Sequence, residues 1–402
     1  MTYKLFYNLL QNNFPHQPTL KQDIFFQKIA DFILNSTSDD IFVLKGYAGT
    51  GKTTIISTVI NNLGDVNMKA VLLAPTGRAA KVISNYSGKP AFTIHKRIYF
   101  PKKNKAGGVS FTLQQNKFKN TLFIVDESSM ISDTNQDSKL YENGSLLDDL
   151  FFYVDAGKNC KLLLIGDTAQ LPPVNLDISP ALDIDLLSRN YDMEISHIEF
   201  DEVMRQEEKS GILFNATALR NQVMGTDGFH FNITFNDVCR LTSSDVGEQL
   251  ASDHGTFGAD QVIVICRSNK SANNYNRQIR FGSMWFTEEV NAGDHLMCTK
   301  NNYFWLGDEG KLDFIANGQM IEVQKVSNYE EKYGFRFANC SIILPENPDL
   351  QFEVKILLNT LYSESPALTT DENKLLYENV LADYEHIKNR DERQKEIKKN
   401  PY

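Results

Sequence analysis

The chain has 402 residues, which suffices for two or three domains at roughly 100–200 residues each. Hydrophobic residues make up 42% and charged residues 23%, and this composition excludes a wholly disordered chain. The net charge of −10, taken by itself, argues against a nucleic-acid partner.

Apolar runs alternate with helix-like segments through the first half of the chain. In chain order, the strand-like runs are 41–46, 70–76, 121–127 and 161–167, and the helical segments include 53–64 and 77–86. Continuous apolar strands separated by helices predict a parallel sheet that is covered on both faces. Ligands of such α/β sheets bind beyond the carboxyl ends of the strands, so the residues there form the candidate site.

A second α/β block begins near Ser196, where the strand-like run 260–268 precedes a helical segment. From about Asn291 the pattern changes to short strands punctuated by Gly, Asn and Pro, which predicts a small β module. A charged helix follows from Thr370. The expected domains are 1–195 with a hairpin insertion at about 96–119, 196–290, and 291–402.

Five cysteines are scattered without a CxxC pair, and the histidines show no HExxH spacing. This pattern predicts reduced thiols and neither a disulfide framework nor a zinc site. Asn and Gln interrupt the N-terminal segment, which makes it a poor signal peptide, and no apolar run approaches 18 residues. We therefore expect a cytoplasmic protein without a membrane segment.

The segment GYAGTGKT at 46–53 fits the phosphate-loop pattern GxxxxGK[ST] and lies between a predicted strand and a predicted helix. Its glycines allow successive backbone N–H groups to surround phosphate oxygens at the positive end of the helix. Lys52 is expected to reach the β- and γ-phosphates, and Thr53 to bind Mg²⁺. The candidate nucleotide-binding residues of the loop are Gly46, Ala48, Gly49, Thr50, Gly51, Lys52, Thr53 and Thr54.

Two further segments with polar residues follow predicted strands. Asp126 and Glu127 end the run 121–127, where an aspartate is suited to hold Mg²⁺ and a neighbouring glutamate to polarise the attacking water. After the run 161–167, Gln170 begins the stretch QLPPV and is a candidate sensor of the γ-phosphate. The alternative for this last loop is a turn that is merely stiffened by two prolines.

The segments GYAGTGKTT, VDESSM and GDTAQLPPV, in this order, resemble motifs I, II and III of superfamily 1B DNA helicases of the RecD/Dda type. The resemblance implies a RecA-like P-loop ATPase domain, a second RecA-like domain and a small SH3-like β module. It also implies that Gln22 recognises adenine and that Arg205, in DEVMRQ, reaches the γ-phosphate. The implied activity is ATP-dependent translocation along single-stranded DNA or at its junction with duplex, 5′→3′, by a monomer that uses Mg²⁺.

The same resemblance assigns DNA contacts to APTGRAA at 74–80 and TIHK at 93–96, and a strand-separating hairpin to the stretch after them. The DNA-binding candidates are Pro75, Thr76, Arg78, Thr93, His95, Phe100, Lys102 and Lys103. They lie in a basic window, residues 66–125, which has eleven Lys or Arg and no acid; the remaining 30 basic and 51 acidic residues give −21. Cations and aromatic rings suit single-stranded DNA. The alternatives are a solvated basic surface and ordinary packing of the aromatic rings.

The chain departs from this family in one respect. Segments like HKxQG and TRA, which in relatives follow the SH3-like module, do not occur before the terminal KEIKKNPY. We therefore expect a truncated or degenerate member, and the alternative function is a nucleotide-dependent DNA-binding module without unwinding activity. An RNA helicase of the same superfamily is a further alternative.

Overall fold

The structure is a computed structural model that describes residues 1–36, 41–103, 109–132, 145–191, 194–202, 210–222, 229–258, 261–299, 302, 315, 318–345, 347–363, 368–397 and 399–402. It divides into two compact units, Met1–Val238 and Cys239–Tyr402. Each unit has its own hydrophobic core.

The first unit contains eight strands and eight helices among its described residues. The strands are β1 (Ile41–Gly46), β2 (Lys69–Ala74), β3 (Ala91–Thr93), β4 (Tyr99–Lys103), β5 (Val109–Leu113), β6 (Lys119–Val125), β7 (Lys158–Gly166) and β8 (Ile195–Phe200). The helices are α1 (Tyr3–Asn13), α2 (Leu20–Asn35), α3 (Lys52–Asn62), α4 (Gly77–Ser87), α5 (Ile94–Ile98), α6 (Leu146–Asp155), α7 (Ile184–Tyr191) and α8 (Gly211–Gln222).

Six of these strands form one parallel sheet in the order β3-β2-β6-β7-β1-β8. Successive side chains of a strand point to opposite faces, and the apolar runs therefore supply both. In β1, Phe42 and Leu44 join the core beneath α1, α2 and α3, whereas Ile41 and Val43 join the core beneath α5 and α6. This sheet confirms the predicted α/β class, with strand ends within three residues of the predicted ones.

The last strand of the sheet changes the expected division of the chain. β8 pairs in parallel with β1, from Ile41 opposite Ile195 to Gly46 opposite Phe200. A boundary after residue 195 would remove this edge strand from its sheet. The first compact unit accordingly extends to Val238 instead of ending at 195.

The predicted hairpin insertion contains two paired strands. β4 and β5 run antiparallel, with Tyr99 opposite Leu113 and Lys103 opposite Val109. The hydroxyl of Tyr99 donates a hydrogen bond of 2.6 Å to the buried carboxylate of Asp149 in α6. This bond fixes the base of the hairpin to the helix that covers the sheet.

The second unit is built on an antiparallel sheet. Its strands are β9 (His295–Met297), β10 (Met320–Lys332), β11 (Phe335–Leu344) and β12 (Asn347–Leu357), in the order β12-β11-β10-β9. Its helices are α9 (Val246–Phe257), α10 (Asn269–Gly282), α11 (Thr370–Asp383) and α12 (Arg390–Ile397). The four strands lie within residues 295–357, and α11 and α12 follow them.

The strand predicted at 260–268 does not form in the part of it that the structure describes, 261–268. Its side chains alternate between half-buried and exposed, and Ile263 and Ile265 are 83% and 90% exposed. A β-strand needs a neighbouring strand to satisfy its backbone groups, and none pairs with this segment within the described residues. The apolar run at 262–266 therefore does not form a strand of a sheet in the described residues.

All five cysteines are free thiols in the structure. Among the described residues, every helix is too short or too polar to span a bilayer.

Candidate functional site

The phosphate loop connects β1 to α3, as its sequence pattern predicts. Gly49 and Gly51 have φ angles of +81° and +84°, in the left-handed region that glycine enters at little cost. Gly51 directly precedes the first residue of α3. The loop therefore turns at glycines and presents backbone N–H groups at the positive end of a helix, which favours anionic oxygens.

Neighbouring side chains leave no room for a side chain at two of the loop glycines. A Cβ atom on Gly51 would lie 2.7 Å from Nε2 of Gln22, and one on Gly46 would lie 2.9 Å from Cβ of Phe200. Gln22 is itself buried, and its Nε2 donates to the carbonyl of Thr50 at 3.1 Å. Its Oε1 accepts from the backbone N–H of Thr19 at 3.1 Å, in the capping box of α2. Gln22 thus ties α2 to the loop.

Lys52 is held by carbonyl groups of its own loop. Its Nζ donates to the carbonyl oxygen of Gly46 at 2.5 Å and to that of Tyr47 at 2.9 Å. Burial lowers the pKa of Lys52, while the carboxylates of Asp167, Asp126 and Glu127 act in the opposite direction. Three acids around one buried ammonium favour its charged form, which phosphate binding requires.

The acidic pair lies directly beyond β6. Oδ1 of Asp126 accepts from the backbone N–H of Glu127 at 2.9 Å, and its Oδ2 accepts from the hydroxyl of Tyr86 at 2.9 Å. Glu127 has a φ of +55°, which is unusual for a residue other than glycine and is typical of functional sites. Burial, followed by the charge of Asp126, raises the pKa of Glu127. A raised pKa suits a carboxylate that accepts a proton from water.

These groups line one cavity of about 580 Å³ in the first unit. The cavity brings together ten of the predicted residues: Gln22, Ala48, Gly49, Gly51, Lys52, Thr53, Thr54, Asp126, Glu127 and Gln170. Two other predicted residues, Gly46 and Thr50, form part of the loop itself. The hydroxyl of Thr50 donates to the carbonyl of Tyr47 at 2.8 Å. The cavity also contains residues that the sequence did not predict: Phe14, His16, Ile56, Val82, Tyr86 and Ile165.

Two oxygen-bearing side chains of this cavity are of the kind that magnesium prefers. Thr53 offers a hydroxyl and Asp126 a carboxylate at the same cavity. Within the described ranges, no group of three His, Cys, Asp or Glu side chains is placed to hold a metal by itself. Mg²⁺ commonly binds through one or two protein oxygens together with substrate phosphates, so this sparse set fits it.

An arginine that no sequence motif predicted, Arg220, lies close to the phosphate loop. The guanidinium of Arg220, in α8, lies 4.3 Å from the centroid of the Tyr47 ring, within cation–π range. No local pattern predicts this contact, because α8 follows Tyr47 by more than 160 residues and has no recognisable motif. The predicted Arg205 lies outside the described residues.

The two predicted DNA segments lie side by side. β2 and β3 are parallel neighbours with Ala74 opposite Thr93, so Pro75 and Thr76 follow one strand end beside Thr93 at the other. Both threonine hydroxyls cap helices, Thr76 accepting from the N–H of Ala79 and Thr93 from that of Lys96, each at 3.2 Å. The sheet therefore brings these two segments together at its carboxyl edge.

Exposure differs among the other DNA candidates. Arg78 is exposed in the first turn of α4. His95 is half-buried, and burial lowers its pKa to about 4. Phe100 of the hairpin is 62% exposed, whereas the side chains of Lys102 and Lys103 lie outside the described part of the structure.

Comparison with known proteins identifies this arrangement. Residues 30–176 match the AAA domain family. The chain is 28% identical over 318 residues, or 75% of its length, to the ATP-dependent RecD2 DNA helicase of Deinococcus radiodurans. It is 33% identical over 134 residues, or 33% of its length, to the ATP-dependent DNA helicase dda of phage T4. These similarities support the resemblance of the three motifs to superfamily 1B helicases of the RecD/Dda type.

The matches cover only part of the relatives. The chain spans 40% of the length of RecD2 and 28% of that of Dda. Among solved structures, the Pif1 helicase from Bacteroides in complex with ADP-AlF3 and single-stranded DNA shows 18% identity and a TM-score of 0.39, covering 83% of this chain and 73% of its own.

Proposed function

We propose that this chain is an ATPase that couples hydrolysis of ATP to movement along single-stranded DNA, as a DNA helicase or translocase. The observation that carries the proposal is the single cavity that gathers the phosphate loop, Asp126, Glu127 and Gln170. The names of its relatives RecD2 and Dda, both ATP-dependent DNA helicases, support the same activity.

In this proposal each side chain of the cavity has one task. Lys52 exchanges its two carbonyl partners for phosphate oxygens, and Thr53 and Asp126 hold Mg²⁺. When bound, Mg²⁺ neutralises charge on the phosphates. Glu127, with its raised pKa, orients the attacking water and accepts its proton, while Gln170 contacts the γ-phosphate. Gln22 recognises adenine, and Arg205 supplies further positive charge.

The DNA track of the proposal follows the carboxyl edge of β2 and β3 and continues onto the hairpin. Pro75, Thr76 and Thr93 lie together at that edge, and Arg78 is exposed beside them. The exposed ring of Phe100 is available for stacking on a base. The proposed substrate is single-stranded DNA or its junction with duplex, the direction is 5′→3′, and the active species is a cytoplasmic monomer.

Replacement of the phosphate-loop lysine tests the proposed ATPase. In the presence of single-stranded DNA, Lys52→Ala should lower steady-state ATP hydrolysis at least 100-fold, because it removes the cation that contacts the phosphates. Lys28→Ala is the matched control, since Lys28 is exposed on α2 and donates to a backbone carbonyl, that of His197. Undiminished hydrolysis by Lys52→Ala would contradict the assignment.

A second candidate is a nucleotide-dependent DNA-binding module without motor activity. The observation that favours it lies in the second unit, where residues 261–268 join no sheet. A motor of this kind uses two sheets that close on the nucleotide, and the described residues of this unit form an antiparallel sheet only. The two candidates differ in whether ATP turnover displaces a strand.

A further inference from the structure

A tyrosine outside the sequence motifs reaches the acidic pair. Tyr86 lies in the last turn of α4, and its hydroxyl donates to Oδ2 of Asp126 at 2.9 Å. Tyr86 also lines the cavity that contains Lys52 and Thr53. No motif of the sequence predicts this contact, which joins residues 40 positions apart.

With this hydrogen bond, each oxygen of the Asp126 carboxylate accepts one donor of the protein. Oδ1 accepts from the backbone N–H of Glu127, and Oδ2 accepts from Tyr86. Two donors from different elements fix the rotation of the carboxylate about its side-chain bonds. An ionised carboxylate oxygen has more than one acceptor site, so each oxygen still has a lone pair for a further ligand.

The hydroxyl of Tyr86 is suited to remain a donor. Its ring packs against the core that lies beneath α1, α2 and α3. A phenol is ordinarily protonated near pH 7, so this hydroxyl donates to the carboxylate.

We propose that Tyr86 is a positioning residue that orients the Asp126 carboxylate toward the divalent cation bound with the nucleotide. The proposal rests on the proposed nucleotide-binding function. Hydrogen bonds to metal-ligating carboxylates raise metal affinity, and their loss typically costs about 10–100-fold. A bond that only anchored α4 to β6 would affect stability and leave the metal requirement unchanged.

The test compares two Tyr→Phe variants that each lose one hydrogen bond to an aspartate. Tyr86→Phe removes the donor to Asp126, and the control Tyr7→Phe removes a 2.8 Å bond to Oδ1 of Asp23, between α1 and α2. The full chain is titrated with a fluorescent ADP analogue at a series of Mg²⁺ concentrations and in EDTA. Thermal unfolding of both variants is measured in parallel.

For Tyr86→Phe, the Mg²⁺ concentration that gives half of the gain in ADP affinity should rise by about 10-fold, with affinity in EDTA unchanged. Tyr7→Phe should match the wild type in both. The proposal is overturned if Tyr86→Phe keeps the wild-type Mg²⁺ requirement, or if wild-type ADP affinity does not respond to Mg²⁺. A wild-type chain that binds no ADP under either condition would instead overturn the proposed function itself.

Discussion

At the residue scale, burial sets the protonation of the side chains around the sheet edge. It lowers the pKa of Lys52, where neighbouring carboxylates oppose the effect, and it raises that of Glu127. Burial also lowers the pKa of His95, to about 4. The His95 imidazole is therefore neutral near pH 7, and its contact with a DNA strand would be a hydrogen bond or stacking rather than a charge pair.

The neutral state of His95 predicts a pH dependence of stability. Between about pH 6.5 and pH 4 the unfolded chain binds a proton that the folded chain does not, so stability falls as the pH falls through this window. In urea unfolding at pH 7.5 and pH 5.0, the wild type should lose more stability than His95→Asn, which cannot bind this proton. The exposed control His197→Asn should behave as the wild type does, and equal losses in wild type and His95→Asn would contradict the prediction.

At the element scale, α4 connects the two halves of the proposed function. Its N-terminus is capped by Thr76 beside the exposed Arg78, and its last turn carries Tyr86, which reaches Asp126. Thr76 and Tyr86 are ten positions apart, which corresponds to about 15 Å at 1.5 Å per residue. One rigid helix thus extends from the proposed DNA track to the proposed metal ligand.

The segment 261–268 allows a prediction about how its side chains contribute to stability. Because Ile265 is 90% exposed, Ile265→Ala should change the free energy of unfolding by no more than about 0.5 kcal/mol. The control Ile342→Ala removes a side chain that is fully buried in β11, and it should cost about 2–5 kcal/mol. Urea denaturation of the full chain measures both. A cost for Ile265→Ala as large as that for Ile342→Ala would show that this segment is a buried strand.

The elements that the sequence predicted well are those whose signal is local. The strands of the first sheet are continuous apolar runs, and the phosphate loop has a fixed spacing of glycines, so both are readable without a partner. β8 and the contacts of Tyr86 and Arg220 depend on residues 40 or more positions away, and no local pattern encodes them. The strand prediction for 261–268 was wrong for the same reason, since a short apolar run does not encode a neighbouring strand.

At the scale of the whole molecule, the net charge of −10 is the sum of two opposite charges. The basic window carries +11, and the remaining residues carry −21. The first unit folds this window so that the two segments proposed to contact DNA meet at one edge of the sheet that also carries the phosphate loop. A polyanion and a nucleotide would therefore bind to the same sheet. The overall charge of a chain is a poor guide to its partners when one segment carries the opposite sign.

Strand displacement by the full chain tests whether it couples ATP hydrolysis to movement along DNA. The substrate is a short duplex with a single-stranded tail at either the 5′ or the 3′ end, incubated with ATP and Mg²⁺ and with Lys52→Ala as the inactive reference. A motor that moves 5′→3′ should release the strand from the 5′-tailed duplex in an ATP-dependent manner, with little release from the 3′-tailed one. ATP hydrolysis that releases no strand from either substrate would contradict it and would favour the nucleotide-dependent DNA-binding module.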